Sequence, residues 1–175
     1  MLKGQHIYLR GIDIDDLSFL KTIENDPENW KVSGTVIPFS DSSLKVYILS
    51  ARDLPADKQV RYIICNNENN KPIGAVDLFD YDSVHRKAGV GILIIKDERK
   101  KGFASEALKI IIDYAFNFLN LHQLWANIHQ QNLESIRLFK KNGFELSGVK
   151  KDWNLFNGDW QDEEFYQLFN PTELI

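Results

Sequence analysis

The chain has one cysteine, Cys65, so it offers no intrachain disulfide and no Cys-x-x-Cys pair for metal or redox chemistry. Cys65 sits in the apolar stretch RYIIC and reads as a buried strand residue. No apolar run approaches the roughly 18 residues that cross a bilayer. The opening residues, MLKGQHIYLRGID, contain no apolar signal core, so the expectation is a cytoplasmic protein with no membrane partner. An excess of positive charge is also absent: 21 Lys and Arg stand against 25 Asp and Glu. The net charge is −4, which argues against gripping a nucleic-acid backbone. The histidines His6, His85, His122 and His129 show no HExxH or other ligand spacing, so no metal is expected. Two phosphate loops are missing as well, GxxxxGK[ST] and GxGxxG.

What is present is an ordinary globular composition, 43% hydrophobic and 26% charged over 175 residues, with no repeat or low-complexity segment. It suits one domain spanning 1–175. HIYLRGI (6–12) reads as a first strand, and Asp13 as the N-cap of a helix carrying Ile14, Leu17 and Leu20. Residues 24–39, with two prolines and a glycine, read as a long loop. A helix is predicted over 40–52, with Leu44, Tyr47 and Ile48 on one face. QVRYIICN, KPIGAVDLFDY and SVHRKAGVGILII read as three strands. Ala104–Leu119 has the i, i+3, i+4, i+7 apolar spacing of a helix. Leu121–Gln130 is strand-like. Asn132–Gly143 is a short helix from an Asn cap to a Gly stop. Asn157-Gly158 between alternating residues predicts a closing hairpin. The expected class is α/β: a mixed, mostly antiparallel twisted sheet flanked by helices.

The most informative stretch is ERKKGFASEAL (98–108), between the apolar strand Val90–Ile95 and the helix. A helix start exposes unpaired N–H groups and the positive end of the macrodipole. A glycine there lets backbone approach a ligand, and successive N–H groups form a concave anion nest. With Arg99, Lys100 and Lys101 added, a phosphate or pyrophosphate is the natural occupant.

Arg99-x-x-Gly102-x-Ala104 resembles the acyl-CoA motif [Q/R]xxGx[G/A] of the GNAT superfamily of N-acetyltransferases. Downstream, Asn132, Ser135, Gly143 and Phe144 are similar to that family's Asn-x-x-Ser helix ending in Gly-Phe. The resemblance implies a GNAT acyl-CoA N-acyltransferase fold with splayed central strands, here Val90–Ile95 and Leu124–His129. It implies acetyl-CoA as co-substrate. Backbone amides of Arg99, Lys100, Lys101, Gly102, Phe103, Ala104 and Ser105 would hold the pyrophosphate. Ile92, Leu93 and Ile94 would pair with the pantetheine arm like an added strand. Asn132, Ser135 and Phe139 would line the cofactor tail. Within the superfamily the chain is most similar to bacterial spermidine/spermine (diamine) N-acetyltransferases, and more distantly to ribosomal-protein N-terminal acetyltransferases. GAVDLFDYDSVHRKA (74–88), LNLHQL (119–124) and the closing hairpin carry that likeness.

Two departures stand out. The family's tyrosine proton donor, in YxxxGF, is replaced by Phe139, which holds no proton to give. The polyamine enzymes' acids have no counterpart in TVIP (35–38) or at Gly89, whereas Asp77 and Asp80 remain. Asp77 is the candidate catalytic carboxylate; Asp80 and Trp30 are candidate substrate contacts. His85 is a weaker candidate base, and the cluster Asp159, Asp162, Glu163 and Glu164 reads as a solvated hairpin face. The function expected is acetyl transfer from acetyl-CoA to a primary amine, with polyamines and diamines among the acceptors. The alternatives are a protein N-terminus, an aminoglycoside, or an acyl-CoA-binding module without catalysis. A homodimer or larger homo-oligomer is the expected assembly.

Overall fold

The computed structural model describes residues 2–33, 35, 37–50, 54–156 and 158–173. Its centre is an eight-stranded sheet in the order β1-β2-β3-β4-β5-β6-β8-β7. The strands are β1 (Leu2–Lys3), β2 (Ile7–Gly11), β3 (Val60–Asn66), β4 (Pro72–Asp82), β5 (Lys87–Ile94), β6 (Gln123–His129), β7 (Glu145–Phe156) and β8 (Asp159–Phe169). Every neighbouring pair is antiparallel except β5–β6. The helices are α1 (Leu17–Glu24), α2 (Pro27–Ser33), α3 (Asp41–Ser50), α4 (Leu54–Asp57), α5 (Phe103–Asp113) and α6 (Leu133–Lys141). None among the described residues is long and apolar enough to cross a membrane.

The two faces of the sheet have separate cores. On one, α5 brings Ala107, Leu108 and Ile111 against Ile64, Val76, Leu78 and Val90, continuous with Leu124, Ala126, Phe139 and Tyr166. On the other, Leu20 and Ile23 of α1 and Ile48 of α3 cover Ile63, Cys65 and Ala75. The expected burial of Cys65 and the inward placement of Leu44 and Ile48 hold. The segment expected to be a loop does not stay one. Pro27 opens α2 because the missing N–H of a first helical residue costs nothing, and Asp26 accepts the N–H of Glu28 at 2.9 Å. Ala51, Arg52 and Asn157, at the ends of the predicted 40–52 helix and hairpin turn, lie outside the described residues. The helix predicted to reach Leu119 is α-helical to Asp113 and then winds as a π-helical turn over Tyr114–Phe118.

The entry to α1 is held by charge. Asp13 and Asp16 form a reciprocal capping box on the 3-10 turn Ile14–Asp16, confirming Asp13 as the cap. Arg10 of β2 grips Asp16 with both terminal nitrogens, at 2.7 and 2.6 Å. Asp16 is only 3% exposed. Burial alone would raise its carboxyl pKa, but the hydrogen bonds from Arg10 and from the Asp13 N–H outweigh that and hold it below its ordinary 3.8.

Candidate active site

The parallel pair β5–β6 is short. Its register runs Lys87 to Gln123, Ala88 to Leu124 and Gly89 to Trp125, and there it stops. Beyond it, Val90–Ile94 pairs only with β4 and Ala126–His129 only with β8. The sheet therefore opens a wedge whose apex is Gly89 and Trp125. One wall of the wedge is a strand edge that, among the described residues, has no strand partner beyond Gly89. The expected splay of Val90–Ile95 from Leu124–His129 is present.

A cavity of about 790 Å3 occupies the wedge. Ile92, Leu93 and Ile94 form its β5 side, and Arg99, Lys100, Gly102, Phe103, Ala104 and Ser105 its floor. Asn132, Ser135 and Leu138 line the opposite side. Gly102 is the N-cap of α5 at φ 88 and ψ −9, with no side chain capping the helix. The first helical bond is Glu106 N–H to the Gly102 carbonyl at 3.1 Å, so the N–H groups of Phe103, Ala104 and Ser105 precede the ladder. Lys100 is also left-handed, at φ 63, so the loop alternates hand as an anion nest does. On α6, Asn132 caps the helix through Ser135 N–H at 3.1 Å.

The basic residues of the loop differ in what they face. Arg99 turns inward, donating Nε to the Ile94 carbonyl at 2.9 Å and Nη2 to Asn29 Oδ1 at 3.3 Å. Lys101 does not line the cavity; it pairs with Glu98 at 2.9 Å. Lys100 lines it and lies 3.9 Å from Glu134. Asn29 is buried, and its amide donates to the Ile23 carbonyl at 2.9 Å, so α1, α2 and the loop are fastened together at one wall. Glu28 and His129, the latter at the end of the strand expected to splay, also line the cavity, as do Asn29 and Gln131, which were not anticipated. The adjacency of Gln131 to Asn132 was the only sequence signal among them.

Three expectations about side chains change. Phe139 is not on the cavity wall. It is 3% exposed, in the core, edge to face with Phe144 at 4.9 Å, because α6 turns Ser135 and Leu138 to the cleft and Phe139 inward. Asp77 is not an unengaged carboxylate. Arg61, directly across on β3, donates Nε to Oδ1 and Nη2 to Oδ2, both at 2.7 Å, and its Nη1 reaches Glu24 of α1. Burial opposes the Arg61 charge, but Asp77, Tyr47 and Glu24 outweigh it and raise its pKa further. Trp30 does not line the cavity; its indole N–H donates to the Glu24 carbonyl at 2.6 Å, tying α2 to α1. Asp80 is exposed on a bulge of β4 at φ 48. His85 pairs with Asp82 at 2.8 Å.

At the apex, the α1/α3 face carries rings. Phe79 meets Trp125 at 5.0 Å and Trp125 meets Phe165 at 5.8 Å. Gly89 makes this possible: a Cβ there would stand 2.5 Å from the Phe79 ring. Gly89→Ala should therefore cost about 1–3 kcal/mol of stability by overpacking. In urea unfolding, its cost should shrink sharply in the Phe79→Ala background; an additive pair would show that the two side chains do not compete for this space.

A split strand pair with an open edge, running into an uncapped glycine helix start, defines an acyl-CoA-dependent acyltransferase fold. Residues 6–145 match the family model described as Acetyltransferase (GNAT) domain, and the chain belongs to that family. It is an N-acetyltransferase, and acetyl-CoA is its co-substrate. An uncharacterized N-acetyltransferase, p20, of Bacillus licheniformis is 30% identical, covering 95% of this chain and 94% of its own. The spermidine N(1)-acetyltransferase of Vibrio cholerae is 27% identical over 91% and 90%. A solved structure of the Vibrio cholerae spermidine N-acetyltransferase with CoA and spermine superposes with a TM-score of 0.88 at 23% identity, covering 95% and 97%.

Proposed function

We propose that this enzyme acetylates the primary amine of a small cationic acceptor, the class to which the spermidine of its relatives belongs. The donor enters the wedge from the helix α5 side. Backbone N–H groups of the 99–105 loop hold its pyrophosphate, and Ile92–Ile94 pairs with its amide-bearing arm as an added strand would. The thioester then lies toward the apex, where the amine meets it from the α1/α3 face. The observation that carries this reading is the wedge itself, an edge of β5 left without a strand partner and leading to Gly102.

Rate enhancement in such a site comes chiefly from holding two reactants in line. In this reading backbone N–H groups at the strand edge stabilise the oxyanion as the carbonyl becomes tetrahedral. Asp77, locked by Arg61, serves structure and charge balance in this reading, and the amine loses its proton to water. The departing thiol has an ordinary pKa of about 8.5 and is a fair leaving group without the tyrosine that Phe139 replaces. Exposed Leu146, Val149, Leu155 and Trp160 on the β7–β8 hairpin support self-association, in keeping with a Vibrio cholerae relative whose structure is dodecameric.

Thiol release from acetyl-CoA, measured with amines, short peptides and aminoglycosides, tests the acceptor class. Release with small amines alone is expected. Release only with peptide N-termini or aminoglycosides, or none with any acceptor, would contradict it.

A further inference from the structure

The apex of the wedge opens onto a stretch of the sheet that lies, among the described residues, outside both helix-covered cores. Residues directly opposite in a ladder share a face, as do alternate residues along a strand. Arg61 faces Asp77, which faces Gly91; two residues along, Phe79 faces Gly89, which faces Trp125; further on, Asn127 faces Phe165. All therefore lie on the α1/α3 side. Helices α1 and α3 cover Ile63, Cys65 and Ala75 there, but Phe79, Trp125 and Phe165 belong to neither core. The three rings, each half-buried, form a continuous floor beginning at the apex.

The acids at the two ends of this floor, Asp77, Glu24 and Glu163, are already engaged. At one end Arg61 takes both oxygens of Asp77 and one of Glu24. At the other, Lys150 of β7 lies 2.9 Å from Glu163 and 3.0 Å from Asn127 Oδ1, with its ammonium 6.0 Å from the Phe165 ring and 5.0 Å from that of Trp153. Among the described ion-paired groups at its ends, two cations against three carboxylates leave one net negative charge, a match for one ammonium and not for several. An extended polycation would also lie its far charge beside Lys150.

Resting on the amine-acceptor reading above, we propose that Arg61 and Lys150 are specificity-determining residues. By occupying the carboxylates of this face they leave the Phe79–Trp125–Phe165 floor to select an acceptor with one ammonium and an apolar or aromatic body. The rings hold that body by stacking and attract its single charge through their faces.

The test is kcat/KM for 2-phenylethylamine, butylamine, putrescine and spermidine, with acetyl-CoA affinity measured in each variant as a check of folding. The wild type should prefer 2-phenylethylamine to spermidine by about tenfold or more, a ratio in the range one well-placed aromatic contact supplies. Trp125→Leu should lower kcat/KM for 2-phenylethylamine about tenfold, mainly through KM. Lys150→Met, on the exposed hairpin, releases Glu163 and should raise the spermidine to 2-phenylethylamine ratio about fivefold; Lys150→Gln should do the same. A wild-type preference for spermidine, or a ratio unmoved in both Lys150 variants, would overturn the proposal while leaving the amine-acceptor reading intact. Turnover with no amine at all would overturn both.

Discussion

Gly102→Val is expected to weaken acetyl-CoA binding by about 10- to 100-fold while leaving the protein folded. Gly102 holds φ 88 at the start of α5, and a β-branched residue there is a steric outlier. Keeping that conformation costs on the order of 1–3 kcal/mol, which is a factor of about 5 to 150 in affinity if the loop relaxes in the free protein and must be re-formed on binding. Among the described residues, apart from its chain neighbours, nothing lies within 4 Å of where a Cβ at Gly102 would stand, so packing is spared. Gly102 lines the cavity, so added methyls also reduce the close approach on which backbone recognition depends. Gly102→Ala should show a smaller loss of the same kind. Calorimetric titration beside a melting curve separates the two effects. Unchanged affinity in Gly102→Val would mean that this loop does not hold the donor.

The second large effect concerns stability. Asp16→Ala removes a carboxylate that accepts from Arg10 twice and caps the turn before α1. Breaking a fully buried pair costs about 3–5 kcal/mol, and Arg10, a third exposed, can regain water, so about 2–4 kcal/mol is the expected loss. For a chain of this size that is a fall of roughly 5–15 °C in Tm. The sign with pH follows from the depressed pKa of Asp16. Its contribution is complete above the unfolded value near 3.8 and disappears as pH falls through the still lower folded value. Asp16→Asn should therefore be well below wild type at neutral pH and approach it in strong acid. A gap that stays constant through pH 3 and below would contradict the assignment of the shift to the Arg10 pair.

The two helix starts that line the cavity were readable in the sequence because their signals are local. Gly102 between an apolar strand and an amphipathic helix, and Asn132 before another, announce themselves within a few residues. The cap at Asp13 was legible for the same reason. The segment 24–39 was misread although Asp26-Pro27 is itself a helix-start signal; the second proline and the glycine masked it. The ladder face at the apex of the wedge depends on pairings that no local pattern encodes. Asp77 looks like an available acid until Arg61, sixteen residues earlier, is seen across the ladder. Trp125 and Phe165 lie outside both cores because the sheet turns them to the α1/α3 face beyond the residues that those helices cover. Phe139 shows the reverse: its motif position suggested the cleft, and the rotation of α6 placed it inside. Gly89, read as the loss of a carboxylate, is the space that the Phe79 ring fills.

Amide hydrogen exchange with and without acetyl-CoA tests the central claim most directly. Strong new protection is expected at Ile92–Ile94 and along the backbone from Lys100 to Ser105, with lesser protection at Asn132–Ser135. Protection that bypasses both the β5 edge and the α5 start, with the donor demonstrably bound, would show that the wedge between β5 and β6 is not where acetyl-CoA sits.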